Sequence, residues 1–227
     1  MKKKYISLIP AKEKSLRLKN KNSLILNGKY IFEYTLDASI NCKKISSTYV
    51  SSDSKKILKK SEIKYAIPIK RPRKFCTDIT SSNQLILNFI KSNSKSVSIR
   101  DYLVYLQPTS PLRDHKDIEQ AINLSIKYPN HTIISVCDAS NSVLKFLIKK
   151  GNKYSPINTK FFNVNDQSLP KVYKQNGAIY IFSIKDFLKK KKIPLTKIKI
   201  FKMNEISSID LNTKKDLRQI KKIILKK

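Results

Sequence analysis

The apolar positions of this chain change period repeatedly, and each change predicts an element. KYISLIP at 4–10 is a continuous apolar and β-branched run and predicts a buried first strand. FEYTLDASINC at 32–42 places Phe32, Leu36 and Ile40 at helical spacing. STYVSSD at 47–53 predicts a second strand, and SKKILKKSEI at 54–63 a second helix. TSSNQLILNFIKS at 80–92 opens with capping residues before an apolar face, the pattern of a helix start. DYLVYLQP at 101–108 predicts a central strand, DHKDIEQAINLSIKY at 114–128 a capped helix, and HTIISVCD at 131–138 a further strand. Strands alternating with helices imply an α/β fold, a Rossmann-like and mostly parallel sheet flanked by helices.

The rhythm changes after residue 138. From about 139 to 169 the chain is polar and irregular, with KFLIKKGNKYSPI patterned as a hairpin. NGAIYIFS at 176–183 and IKIFKMN at 198–204 return to strand patterns. TKKDLRQIKKIILK closes the sequence as a helix with Leu217, Ile220 and Ile224 on one face. No internal repeat and no long linker interrupts this, so residues 1–227 are expected to form a single domain with a small inserted arm at approximately 139–175.

Composition adds one question. Lys+Arg number 48 against 16 Asp+Glu, a formal charge of +32, which points to an anionic partner. The lysines are scattered, with runs only at KKKK (189–192) and the terminal KKIILKK, so drift of tolerant surface positions towards lysine accounts for them equally well. Weak non-specific binding to polyanions follows in both cases. A nucleic-acid-binding role would need lysines on one face with interleaved aromatics, as a continuous basic groove away from the QPTSPLR end. The three cysteines, Cys42, Cys76 and Cys137, have no paired spacing and read as reduced thiols of a cytoplasmic protein. The apolar run after the first lysines is too short for a signal peptide, and none approaches the ~20 residues of a membrane span.

In open α/β sheets ligands bind beyond the carboxyl ends of the strands. Four polar segments leave predicted strands there: IPAKEKSLRLKNKN at 9–22, SSD at 51–53, QPTSPLRD at 107–114 and SSIDLNT at 207–213. Together they supply cations and hydroxyls for phosphate and carboxylates for a divalent metal. Singly each has a plainer reading. The lysines can be solvated, QPTSPLR can be a proline-fixed turn, and Asp53, Asp210 or Asn212 can cap the helix that follows. His115 and His131 are isolated.

Taken in order, these segments resemble the acylneuraminate cytidylyltransferase family, the CMP-sialic acid and CMP-nonulosonic acid synthetases. The resemblance runs from residue 4 to about 217. It is carried by IPAKEKSLRLKNKN, LNGKYIFEYTLDAS, VSSD, KRPRKFCTDITSS, YLQPTSPLRDHKDIEQAI, QSLPKVYKQNGAIYIF and SSIDLNTKKDL, of which the QPTSPLR and NGAIYIF segments are the most specific. It implies a nucleotide-diphospho-sugar transferase type of fold and transfer of a cytidylyl group from CTP to a nonulosonic acid, with pyrophosphate released, in the biosynthesis of a surface glycan such as lipopolysaccharide or capsule. By motif position Lys12, Ser15, Lys21 and Asn22 would hold the nucleotide and its phosphates, and Arg71 and Ser81 the nucleoside. Gln107 and Asn176 would face the sugar acid, and Asp210, with Asn212, would bind Mg2+. Lys21, Asp210 and Lys12 would act in catalysis. The arm would be a homodimerisation element. Neither a specific nucleic acid nor membrane insertion is implied.

Four departures from the family pattern involve five positions. Lys12 stands in place of an arginine and loses its bidentate fork. Glu13 and Lys14 replace two loop glycines, and Glu13 would bring negative charge towards a triphosphate. Asn212 replaces a second carboxylate. Asp166 stands where an arginine is associated with the acidic sugar. Two readings stay open: a divergent active synthetase, or a nucleotide-binding homologue with impaired catalysis. The retention of Ser15, Lys21, Asn22, Gln107, Asn176 and Asp210 together favours the first.

Overall fold

The structure, a computed structural model, describes residues 3–15 and 18–226. In chain order its elements begin with β1 (Tyr5–Pro10), β2 (Ile25–Leu26), β3 (Lys29–Tyr30), α1 (Ile31–Ile40), β4 (Ser47–Ser52), α2 (Lys55–Ile63) and β5 (Ile67–Lys70). Then come α3 (Ser82–Ser92), β6 (Tyr102–Tyr105), α4 (His115–Lys127), β7 (Thr132–Ala139), β8 (Leu147–Lys150) and β9 (Lys153–Pro156). The chain closes with β10 (Val172–Ser183), α5 (Ile184–Lys190), β11 (Ile198–Lys202) and α6 (Lys214–Ile224). Seven strands form one sheet in the order β11-β7-β10-β6-β1-β4-β5. Every pairing is parallel except those of β10, which runs antiparallel to both β6 and β7.

Strand alternation sends the sheet's side chains to two cores. Ile6, Leu8 and Leu103 pack with Phe89 of α3 and Phe187 of α5 on one face. Ile9, Val50 and Val104 pack with Phe32 and Leu36 of α1 and Ile118 of α4 on the other. Helices therefore cover both faces, as a parallel sheet requires. Ser39 Oγ lies 2.6 Å from Ser7 Oγ and 2.8 Å from Thr48 Oγ1, a buried hydroxyl chain tying α1 to β1 and β4. A third, smaller core joins Leu26, Ile31, Leu112, Leu211 and Ile220. It clamps α6 and the segment before it beneath the carboxyl end of the sheet.

Three elements carried weak sequence signals. β5 contains Pro68 and lies at the sheet edge, where a missing N–H breaks no ladder. α5 lies within a lysine-rich stretch; Ile184 and Phe187 are buried, and Leu188 packs beside them half-buried. β10 is longer than NGAIYIFS, and its register with β7 shifts between Gln175 and Tyr180. The hairpin expected in the arm is present as β8 and β9.

The capping assignments differ from the simplest reading. Ser54, not Asp53, stands at the N-cap of α2, and Thr213, not Asp210 or Asn212, caps α6. Thr213 Oγ1 accepts from Asp216 N, and Asp216 accepts in return from Thr213 N and Asn212 N. Burial opposes ionisation of Asp216, but hydrogen bonds from Asn212 and Thr213 outweigh it and hold the carboxyl below its ordinary value. A carboxyl depressed on folding contributes stability at neutral pH that is lost as pH falls through its folded value. Asp216→Asn is therefore expected to be less stable than wild type at pH 7 and to converge with it in acid. Urea midpoints measured across that range check this.

Candidate functional site

The loop leaving β1 is held by partners distant in sequence. Lys12 Nζ donates to Asp78 Oδ1 at 2.5 Å and to Thr77 O at 3.4 Å. Glu13 N donates to Asp53 Oδ1 at 2.8 Å, and the Glu13 carboxylate accepts from Ser54 Oγ at 3.2 Å. Glu13 is thereby tied to the start of α2, with its charge committed to that hydroxyl. Ser15 Oγ donates to Leu18 O and accepts from Lys21 N, so it closes the loop on itself. Asn22 is buried; its Nδ2 donates to Lys12 O at 2.7 Å, while its Oδ1 is buried and has no partner. Among the described loop residues only Asn20 takes the left-handed region, with φ 52°. Glu13 and Lys14 do not need glycine's freedom.

This loop walls a cavity of about 290 Å³ at the carboxyl end of the sheet. Lys12, Lys21 and Asn22 lie on one side, Arg71 and Ser81 on the other, and Gln107 and Thr109 at the back. Among the described residues three cations and no carboxylate line it. Arg71 is fixed by bonds from Nε to Ser51 Oγ and from Nη2 to Ser51 O at 2.7 Å; burial pulls its pKa below the usual value. Ser81 is the N-cap of α3, so the positive end of that helix also borders the space. The arrangement suits a polyanion with hydrogen-bonding groups. Ser15 does not line the cavity; it shapes the loop that does.

A second cavity, about 460 Å³, shares Gln107 with the first. Asn176, Gly177, Asp210 and Asn212 line it. Asn176 is buried with both amide ends engaged: Oδ1 accepts from Ser135 Oγ at 2.6 Å and Ala178 N, and Nδ2 donates to Ser208 Oγ at 2.9 Å. It holds the β10 irregularity open rather than offering a spare hydrogen bond. Gly177 has φ +75°, and a Cβ there would stand 3.1 Å from Gln107 Oε1. Asp210 Oδ2 accepts from Asn212 Nδ2 at 2.5 Å, whereas Asp210 Oδ1 is buried without a partner. A carboxylate oxygen left without a partner suits a cation. No group of three His, Cys, Asp or Glu gathers as a ready-made metal site among the described residues. Asp210 thus fits Mg2+ of the kind completed by ligand phosphates and water. Burial, then the charge of Asp210, raises the pKa of Tyr180 in the same wall.

Local pattern gave no sign of Arg113. It is the largest fully buried side chain, 2% exposed, and has no ion-paired carboxylate among the described residues. Its Nη1 donates to Ala178 O at 2.8 Å and Gln107 O at 3.3 Å. Burial pulls its pKa down to about 10, so it stays charged at neutral pH. The same turn is tied to the Asp210 segment by Leu211 N donating to Thr109 O at 2.7 Å. In the arm, Asp166 pairs with Lys145 Nζ at 2.6 Å, which offsets its charge.

A further cavity, about 1310 Å³, lies at the opposite end of the sheet and is bordered by Lys3, Lys4, Lys44, Lys95 and Arg100. Its tyrosines face each other: Tyr5 and Tyr102 stack at 5.1 Å, and Tyr102 is buried.

A family model described as Cytidylyltransferase matches residues 6–226. The chain is 27% identical over 226 residues to CMP-N,N'-diacetyllegionaminic acid synthase of Legionella pneumophila, covering 97% of this chain and 96% of that one. It is 24% identical to pseudaminic acid cytidylyltransferase of Campylobacter jejuni over 98% of this chain and 97% of the relative. It is 29% identical to N-acylneuraminate cytidylyltransferase of Escherichia coli over 95% of this chain but 51% of that larger protein. Among solved structures, CMP:2-keto-3-deoxy-manno-octonic acid synthetase complexed with CTP superposes with a TM-score of 0.73 at 14% identity, covering 98% and 99% of the two chains.

Gly177→Ala is expected to lower stability by about 1–3 kcal/mol, through a left-handed backbone and contact with Gln107. Urea unfolding checks the value.

Proposed function

The chain belongs to the cytidylyltransferase family, and from that premise we propose that it joins CTP to a nonulosonic acid, giving the CMP-sugar and pyrophosphate. The observation that carries this is the pair of cavities meeting at Gln107, one cationic and free of carboxylates, the other containing the unpartnered Asp210 oxygen. In this reading the first cavity takes the nucleotide. Lys21 and Lys12 neutralise phosphate charge, with Lys12 released from Asp78; Asn22 Oδ1 and Arg71 act on the nucleoside, and Ser81 places the positive end of α3 beside it. The second cavity takes the sugar acid, with Gln107 at the junction and Asn176 fixing the wall. The anomeric hydroxyl attacks the α-phosphate, its proton passes to solvent or a base, and pyrophosphate leaves.

Residues Asp210 and Asn212 would hold Mg2+, which supplies charge neutralisation at the phosphates when bound. Positioning and charge compensation then account for the rate, as in other phosphoryl transfers. Relatives named for legionaminic, pseudaminic and N-acylneuraminic acids support a nonulosonic acid as acceptor, and with it a role in surface glycan synthesis in the cytoplasm. The arm at about 139–175 serves homodimerisation: Phe146, Leu147 and Tyr154 expose apolar surface on its hairpin.

Pyrophosphate release should appear with CTP and at least one nonulosonic acid when all four NTPs are tested against a panel of such acids. Silence in every pairing overturns the reading. Lys21→Ala and Asp210→Ala are each expected to lower kcat/KM by about 10²–10³-fold. Asn212→Asp should lower the Mg2+ concentration needed for half-maximal rate, and an unchanged titration counts against its ligand role. Sedimentation of Leu147→Glu/Tyr154→Glu should show a monomer where the wild type is a dimer; equal sedimentation of the two removes the arm's role.

A further inference from the structure

A buried arginine without a counter-ion is an unfavourable thing for a protein to keep. Its desolvation is not offset by an ion pair, and replacement of such a group by an apolar side chain of similar volume is often neutral or stabilising. Arg113 has no carboxylate in direct ion-pair contact among the described residues, Asp117 and Asp114 acting on it only through space, and two of its nitrogens, Nε and Nη2, are buried without a hydrogen-bond partner. What its guanidinium does make is one short bridge. Nη1 links the carbonyl of Gln107, where the chain leaves β6, to the carbonyl of Ala178, within the irregular part of β10.

These two backbones carry the groups that meet between the cavities. Gln107 presents its side chain to both, and Gly177, next to Ala178, stands against that side chain. The Asp210 segment is docked on the same turn through Thr109. The loop of Lys12 and Asn22 is held independently, by Asp78, Asp53 and Ser54.

We propose that Arg113 is a positioning residue for the acceptor side of the reaction: it pins the Gln107 turn to the β10 irregularity and so fixes the wall shared by the two cavities. It touches neither ligand. The inference rests on the assignment of the second cavity to the sugar acid.

The test compares wild type with Arg113→Met and Arg113→Lys. Arg113→Met should unfold in urea at the wild-type midpoint or above it. Its CTP affinity by calorimetry should change less than about 3-fold, while the KM for the acceptor rises about 10-fold or more. Arg113→Lys, which can reach one carbonyl, should fall between. The Gln107 side-chain amide resonances, identified by their loss in Gln107→Glu, should shift in Arg113→Met while those of Asn22 hold still. That readout needs no turnover, so it separates failure of this inference from failure of the proposed activity. A Met variant with wild-type acceptor KM and an unmoved Gln107 amide overturns the proposal. So does one that loses stability and both affinities in parallel.

Discussion

One strand running against its neighbours determines where everything else in the site can be. β10 lies between β6 and β7 and opposes both, with Tyr180 opposite Tyr105 and Val172 opposite Ala139. A parallel strand would begin at the amino edge of the sheet. An antiparallel one begins at the carboxyl edge, where β6 ends. The start of β10, with Asn176 and Gly177, is thereby delivered beside Gln107, and the arm that precedes it leaves and rejoins the sheet at that edge. The general preference for ligands beyond the carboxyl ends of parallel strands is thus reinforced by material inserted from the opposite direction.

The charge arrangement follows from what this geometry leaves exposed. Carboxylates near the cationic cavity are engaged around it rather than within it: Asp53 accepts a backbone N–H, Asp78 meets Lys12 and Glu13 meets Ser54. The cavity keeps Lys12, Lys21 and Arg71. Asp210 stands apart on the other side of Gln107, held by Leu211 in the third core and by the α6 cap that follows. Cations and carboxylate thus line separate cavities that share Gln107.

The sequence conveyed the fold well where burial is continuous. β1, β4, β6 and β7 are runs of buried residues, and α3, α4 and α6 carry capping residues next to apolar faces, so period and cap agreed. β5 and α5 escaped because Pro68 and a lysine run hide short elements whose cause is tertiary. The resemblance brought most of the expected site residues to two adjoining cavities, but their partners were not legible. Lys12 meets Asp78 across 66 residues and Glu13 meets Ser54 across 41. Neither contact has a local signature, so the expected conflict between Glu13 and a triphosphate could not be resolved before the loop was folded. Arg113 in QPTSPLR looked like part of a turn, because nothing in sequence says that a cation will be buried.

The Lys12–Asp78 pair has a bearing on selectivity. With that lysine already neutralised, an arriving anion gains only the difference between its own attraction and the one it displaces. A ligand with a single negative charge merely exchanges partners, whereas several adjacent charges can engage Lys12, Lys21 and Arg71 together and exceed what Asp78 offers. In the proposed reading the carboxylate thus favours ligands of high charge density, such as a nucleoside triphosphate, over monoanions.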